Sequence, residues 1–153
     1  MYSKTQESKT KQEFWTAFGG YMKPVPTAEG GRISWQNYKT GIKSIFFRMR
    51  AERDFASIGI EITHPDQDIQ ELLFGQFEQF KKLLELETKE PWEWKLLGVD
   101  DFGKNVSVIE RRLQGVNVMD QADWPAIISF LKPRIIALDS FWSNVKYGFE
   151  GLV

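Results

Sequence analysis

The centre of the chain, from Ile45 to Thr63, alternates apolar and polar residues. Phe47 and Met49 alternate with arginines, and isoleucines at 58, 60 and 62 alternate with small or polar residues. A period of two is typical of a strand with one buried face. The link at 51–54 is short and polar, which favours antiparallel pairing of the two strands. The pattern therefore predicts a central β-hairpin.

Other segments show the same period. Arg32 to Tyr38 alternates Ile33 and Trp35 with polar residues, which predicts a strand before the hairpin. A second hairpin is predicted by two strand-like runs on either side of a turn-forming sequence, Trp92 to Leu96 and Asn105 to Arg112. Residues 115–119 form a connection or a short extra strand.

Apolar residues at helical spacing predict three helices. The first runs from about Lys11 to Met22 after a capping box that begins at Thr10. The second runs from Asp68 to about Glu87, with Asp68 and Glu71 at its start. The third covers 124–149.

The third helix has the clearest pattern, because its large apolar residues are spaced alternately four and three apart. Such spacing produces one continuous apolar seam. The seam comprises Trp124, Ile128, Leu131, Ile135, Leu138, Trp142, Val145 and Phe149. Pro133 interrupts the backbone hydrogen bonding of this helix but lies outside the seam.

The predicted order is helix, three strands, helix, two strands, helix. We expect an α+β fold, with a mainly antiparallel sheet of about five strands and helices on one face. Residues 1–9 are predicted to be a flexible tail, and residues 10–153 a single domain.

Composition narrows the possible functions. The chain has no cysteine and one histidine, which excludes disulfides, cysteine nucleophiles and zinc sites with several histidines. Its net charge of −1 gives no overall attraction to nucleic acid or anionic membranes. Residues 1–12 lack the apolar core of a signal peptide, and no apolar run is long enough to span a membrane. We therefore expect a cytoplasmic protein without cofactors.

Two motifs resemble nucleotide-binding sequences. Gly98 to Asn105 nearly matches a phosphate-binding loop, but Asn105 replaces the required hydroxyl and a predicted strand follows instead of a helix. Asp101-Phe102-Gly103 matches a kinase triplet, but the other kinase motifs are missing. The simpler interpretation is a hairpin turn in which Gly103 adopts positive φ.

Asp66, Glu93 and Lys95 resemble the metal-binding pattern of restriction nucleases. Two carboxylates could hold magnesium while the lysine orients water. The alternative interpretation makes Asp66 a helix cap, and places Glu93 and Lys95 on the solvated face of an edge strand. A magnesium-dependent nuclease remains an alternative hypothesis.

Arginines and aromatic residues near the predicted sheet suggest a binding surface. Such a surface is suited to single-stranded nucleic acid. The candidate residues are Trp35, Tyr38, Arg48, Arg50, Trp94 and Arg111, and Arg53 and Arg112 could share the same face. In the simpler interpretation, the arginines lie on a solvated face and pair with Glu52, Asp54, Glu61 and Glu110. A third hypothesis is a small-ligand pocket lined by Trp35, Tyr38 and Trp94.

The span from Lys9 to Leu152 resembles a bacterial family of unknown function. The resemblance rests on these sequence features: Phe14-Trp15, Trp35-x-x-Tyr38-x-Thr40-Gly41, Phe77-x-x-Phe80-Lys81, Trp92-x-Trp94 and the Trp124-to-Phe149 helix. Members of that family stand alone or lie C-terminal to restriction-endonuclease-like domains, which implies a role near nucleic-acid defence or processing. The resemblance carries no catalytic residues over to this chain.

The sequence thus favours a non-enzymatic binding or interaction module, accessory to nucleic-acid processing or defence. Its expected partner is nucleic acid or another protein. No catalytic or metal-binding residues are assigned under this hypothesis.

Overall fold

The computed structural model describes residues 3–152 and shows four α-helices and one four-stranded antiparallel sheet. The strands lie in the order β1-β2-β4-β3. In chain order the elements are α1 (Lys4–Met22), β1 (Ile45–Ala51), β2 (Phe55–Ile62), α2 (Gln67–Gln79), α3 (Lys81–Thr88), β3 (Glu93–Val99), β4 (Asn105–Gln114) and α4 (Trp124–Val145). Short 3-10 helices at Gln121–Asp123 and Lys146–Phe149 flank α4. The α+β class is confirmed, with four strands instead of about five.

The predicted central hairpin is confirmed. β1 and β2 pair antiparallel, with Phe47 opposite Ile60 and Met49 opposite Ile58. β2 also pairs antiparallel with β4, so it lies inside the sheet. Its three isoleucines have no exposed surface.

The second hairpin is also confirmed, and the nucleotide-like sequence forms its turn. A carboxylate oxygen of Asp100 accepts hydrogen bonds from the backbone amides of Phe102 and Lys104. Gly103 has a φ of 77°, as the hairpin interpretation predicts. The residues after the turn continue as β4 instead of a helix, so this loop lacks the helix that a phosphate-binding loop requires.

The predicted strand at Arg32 to Tyr38 is wrong, because this segment is irregular. Side-chain hydrogen bonds tie it to other elements: the Trp35 indole donates to the carbonyl of Val25, and the Gln36 amide donates to the carbonyl of Trp15. Only Lys39, just beyond the segment, makes a bridge to β1. The alternation reflects burial of Trp35 against these elements, not strand pairing.

The first helix begins earlier than predicted. A capping box formed by Ser3 and Gln6 starts α1, and Thr10 lies inside the helix. Residues 4–9, predicted as part of a flexible tail, form its first turns. Met1 and Tyr2 lie outside the described residues.

The predicted second helix is two helices, α2 and α3, separated at Phe80. Asp66 caps α2 by accepting from the amide of Asp68. Phe80 leaves helical geometry, with φ −105° and ψ 13°, and its ring lies 6.0 Å from that of Phe149. The two helices pack on different partners, since α2 contacts the sheet whereas α3 contacts α4. The change of direction at Phe80 allows both contacts.

The seam of the last helix is largely confirmed. From Leu131 to Phe149 its members are buried, while Trp124 and Ile128 are half-buried. α4 continues through the exposed Pro133 and ends at Val145. Phe149 follows in the 3-10 helix that succeeds α4.

All four helices lie on one side of the sheet. α2 and α4 pack against it directly, and α1 and α3 pack against α4. Among residues 3–152, no helix is long and apolar enough to cross a membrane. Within residues 3–152, the four helices leave the other face of the sheet uncovered, and we call it the open face.

Gly59 of β2 lies on the open face, close to the backbone of β4. A Cβ at this position would lie 2.8 Å from the carbonyl oxygen of Ile109 and 2.9 Å from the Cβ of Glu110. We expect Gly59→Ala to reduce the free energy of unfolding by about 1–3 kcal/mol, because β2 and β4 must move apart. Urea denaturation measures this loss, and an unchanged midpoint would contradict the close approach.

Candidate functional site

The open face is built by strand alternation. The buried isoleucines of β2 point toward the helices, so Ser57, Gly59 and Glu61 point the other way. Antiparallel pairing places Arg48 of β1 opposite Gly59. The basic residues of this face are Arg48, Arg50, Lys95 and Arg112, and the acidic residues are Glu61, Glu93 and Glu110. Basic residues therefore outnumber acidic ones by one among the strand residues of this face.

Glu61 is 7% exposed and holds two arginines. Arg50 Nη1 lies 2.7 Å from Glu61 Oε2, and Arg48 Nε lies 3.7 Å from Oε1. Burial opposes the charge of Arg50, but the hydrogen bond to Glu61 and the negative charges of Glu61, Glu110 and Glu52 together outweigh it and raise the pKa of the guanidinium. Glu61 thus holds the guanidinium groups of both arginines on the open face.

Glu110 repeats this arrangement on β4. It is also 7% exposed, and its Oε1 lies 3.2 Å from Lys95 Nζ and 3.7 Å from Arg112 Nη2. The long stems of the basic side chains cover the two glutamates while their charged ends reach solvent. Each buried carboxylate thus anchors a pair of cations.

Two aromatic rings support the arginines from below. The guanidinium of Arg48 lies 4.3 Å from the ring centroid of Phe46, and that of Arg112 lies 3.9 Å from the ring of Phe55. Stacking on an aromatic ring holds a guanidinium plane in one orientation. The side chains of Arg48 and Arg112 nevertheless remain 49% and 36% exposed. Such fixed, accessible guanidinium groups can donate paired hydrogen bonds to a phosphate or carboxylate.

The six candidate residues do not share one surface. Arg48 and Arg50 lie on the open face, but Arg111 lies on the helix-covered face because it alternates with Arg112 along β4. Arg111 Nη1 donates to the carbonyl of Pro91, and Nη2 lies 3.5 Å from a carboxylate oxygen of Glu90. Arg53 lies outside the strands and pairs with Glu7 at 2.9 Å.

The three aromatic candidates lie on the helix side and do not form one pocket. Trp35 is buried near β1, whereas Trp94 belongs to β3 and packs edge-on against Phe74. β1 and β3 are opposite edges of the sheet, three strand spacings or about 14 Å apart. Tyr38 stacks on Phe47 of β1. The proposed pocket lined by all three residues is therefore not formed.

Tyr38 takes part in a partly buried hydrogen-bond cluster that attaches the irregular segment to α4. Its hydroxyl donates to Oδ1 of Asp139, and the backbone amide of Ala28 donates to Oδ2 at 2.7 Å. Burial, together with the neighbouring carboxylate, raises the pKa of Tyr38 far above its usual value. Tyr38 thus serves as a structural attachment between the loop and the helix.

The raised pKa of Tyr38 predicts that the stability of the domain depends on pH. Above the pKa of an unfolded tyrosine, about 10, the unfolded chain loses this proton while folded Tyr38 keeps it. Stability contributed by Tyr38 should therefore be complete below that pH and should fall as the pH rises further. The comparison is between wild type and Tyr38→Phe, unfolded in urea at about pH 8 and about pH 11. We expect the advantage of wild type to shrink at the higher pH, and a constant difference would contradict the assignment.

The three residues of the nuclease hypothesis lie near opposite ends of β3. Glu93 and Lys95 are at its start, and Asp66 lies beyond its end. Asp66 caps α2, and the next residue, Gln67, donates to the side chain of Asn105 at 2.8 Å. Asn105 pairs with Val99 at the far end of β3 from Glu93, a separation of about 18 Å along the strand. Carboxylate oxygens that share one magnesium ion lie within about 4 Å of each other, because each lies about 2 Å from the metal. Within the described part of the chain, no cluster of three or more histidine, cysteine or carboxylate side chains could hold a metal ion.

The six candidate residues leave out Arg112, and the two buried glutamates enter the sequence analysis only as ion-pair partners of the arginines in the simpler interpretation. Glu61 continues the alternation of the central hairpin, so its place opposite the core could be found from the pattern. Arg112 was among the arginines considered, but adjacent Arg111 and Arg112 must point to opposite faces, and the strand pattern around them leaves the choice open. Only the pairing of β4 with β2 resolves it.

Comparison with known proteins places the chain in a family. No curated protein matches it, and no solved structure does. The profile of the domain of unknown function DUF4268 matches residues 10–146, which is most of the chain. The protein therefore belongs to the DUF4268 family.

Proposed function

We propose that this domain is a non-enzymatic binding module whose open face receives an anionic macromolecule, as an accessory to nucleic-acid processing or defence. The observation that carries the proposal is the pair of buried glutamates, Glu61 and Glu110, which hold half-exposed cations in place. The resemblance to chains that carry restriction-endonuclease-like domains supports the nucleic-acid association.

The anchoring distinguishes this face from an ordinary solvated one. Burying a carboxylate is unfavourable, and exposed ion pairs contribute little stability. An ordinary solvated face therefore gains nothing from buried glutamates of this kind. Fixing the guanidinium groups before binding reduces the entropy that a partner must overcome. With four basic and three acidic strand residues, the open face carries a net positive charge, which attracts an anionic partner.

Fluorescence anisotropy with labelled single-stranded DNA and RNA tests the proposal. We expect binding that weakens with salt between about 50 and 200 mM, since phosphate contacts release counterions. The double variant Arg48→Gln/Arg112→Gln should lose about tenfold in affinity and show a salt slope shallower by about one to two. Both substitutions keep a polar side chain at a half-exposed position.

The matched control is Lys23→Gln/Lys82→Gln, which removes the same charge from exposed positions in the helix layer. It should bind like wild type. Equal losses in both double variants would show that the overall charge of the protein, not the open face, determines affinity. Absence of wild-type binding at low salt would refute the proposed function.

A further inference from the structure

A groove of about 330 Å³ lies at the edge of the sheet, beside β1. It is formed between the start of β1 and the preceding loop, and Lys39, Gly41, Lys43 and Phe46 line it. Its volume lies at the lower end of the range of small-molecule sites. The lining residues include two lysines and no carboxylate.

The groove is continuous with the open face. Lys39 pairs with Phe46 in an antiparallel bridge, and paired residues of antiparallel strands point to the same side. Lys39 therefore extends the open face beyond β1. Phe46 is shared by both regions, since it lines the groove and supports the guanidinium of Arg48.

The walls of the groove are held by the core. The Thr40 hydroxyl donates to the carbonyl of Ile45 at 2.8 Å, and its own carbonyl accepts from the Trp142 indole at 2.8 Å. Tyr38 is held by Asp139. Lys39 and Lys43 are exposed, and their ammonium groups are available to a ligand without rearrangement of the walls.

We infer that the anionic macromolecule is a single-stranded nucleic acid and that one of its nucleotides occupies this groove. The base stacks against the ring of Phe46. Its phosphate contacts Lys39 and Lys43, and the neighbouring phosphates contact Arg48 and Arg50. This inference rests on the proposed function, because the groove is treated as a continuation of the open face.

The combination of groups favours this ligand over the alternatives. An accessible aromatic ring beside cations is the arrangement that binds unstacked bases and their backbone. An acidic peptide would use the cations but not the ring of Phe46. A base within a duplex is stacked on its neighbours and cannot enter an edge groove of this size.

The experiment compares two groove variants with the open-face variant of the previous section. Phe46→Leu removes the ring, and Lys39→Gln/Lys43→Gln removes the charges. The probes are a labelled single strand, the matching duplex, and an oligoglutamate peptide of equal charge, each measured by anisotropy. Thermal melting of each variant verifies that it is folded.

We expect wild type to prefer the single strand over the duplex and the peptide by about tenfold. Phe46→Leu should lose about tenfold in affinity with an unchanged salt slope, because stacking releases no counterions. Lys39→Gln/Lys43→Gln should reduce the slope by about 0.7, the value for one phosphate contact to a single strand.

The possible failures are distinguishable. Groove variants that bind like wild type, while Arg48→Gln/Arg112→Gln loses affinity, would overturn the groove inference and leave the proposed function standing. Equal affinity for the peptide and the single strand, with no effect of Phe46→Leu, would identify an acidic protein segment as the partner. No binding to any probe would refute both proposals.

Discussion

Replacing Leu138 with aspartate is expected to unfold the domain. Leu138 has no exposed surface and lies in the seam of α4, the helix that packs on the central strand β2. Losing its side chain costs about 2–5 kcal/mol, and burying an unpaired carboxylate costs several more. The sum is comparable with the whole stability of a typical domain, about 5–15 kcal/mol.

Circular dichroism and thermal melting measure the effect of Leu138→Asp, which should show no cooperative transition. Leu86→Asp is the matched control, since Leu86 lies on α3 and is 75% exposed. The control should change the free energy of unfolding by less than about 0.5 kcal/mol. A wild-type melting temperature for Leu138→Asp would show that the seam is not part of the core.

Asp139→Ala should reduce the free energy of unfolding by about 2–6 kcal/mol. The substitution leaves two partly buried donors without an acceptor, the hydroxyl of Tyr38 and the backbone amide of Ala28. Each unsatisfied donor costs about 1–3 kcal/mol. Because these bonds attach the long connection between α1 and β1 to α4, we expect that connection to loosen before the rest of the domain.

Urea unfolding measures the loss in the free energy of unfolding of the whole domain. Hydrogen exchange at the Ala28 amide measures the loosening of the connection between α1 and β1. Asp139→Asn is the control, because its amide oxygen retains one acceptor and should restore part of the stability. If the alanine and asparagine variants are equally stable, the carboxylate is not the acceptor that holds the connection.

The elements that the sequence predicts correctly are those whose pattern arises within the element itself. The alternation of the central hairpin and the seam of α4 follow directly from strand and helix periods. The break at Phe80 has no such local signal, since the residues on both sides favour helix and the two halves pack on different partners. The irregular segment around Trp35 alternates because a tryptophan docks against other elements.

The prediction that the arginines share one face is likewise correct where it depends on one strand alone and wrong where it depends on how two strands pair. The shared face of Arg48 and Arg50 follows from their spacing within one strand, and the structure agrees. The face of Arg111 depends on how β4 aligns with β2, and a shift of one residue reverses every side chain. Strand alignment is a long-range property that a single sequence does not encode locally.

The irregularity in β3 affects how the domain behaves at high concentration. Pairing with β4 shifts between Lys95 and Gly98, and Leu97 adopts a φ of 53° while its amide donates to the Ser107 hydroxyl. A bulge of this kind interrupts the row of backbone groups that another strand would need for pairing. At the opposite edge, Lys39 covers part of β1. The sheet can therefore leave a broad face open to solvent without promoting fibre-like association through its edges.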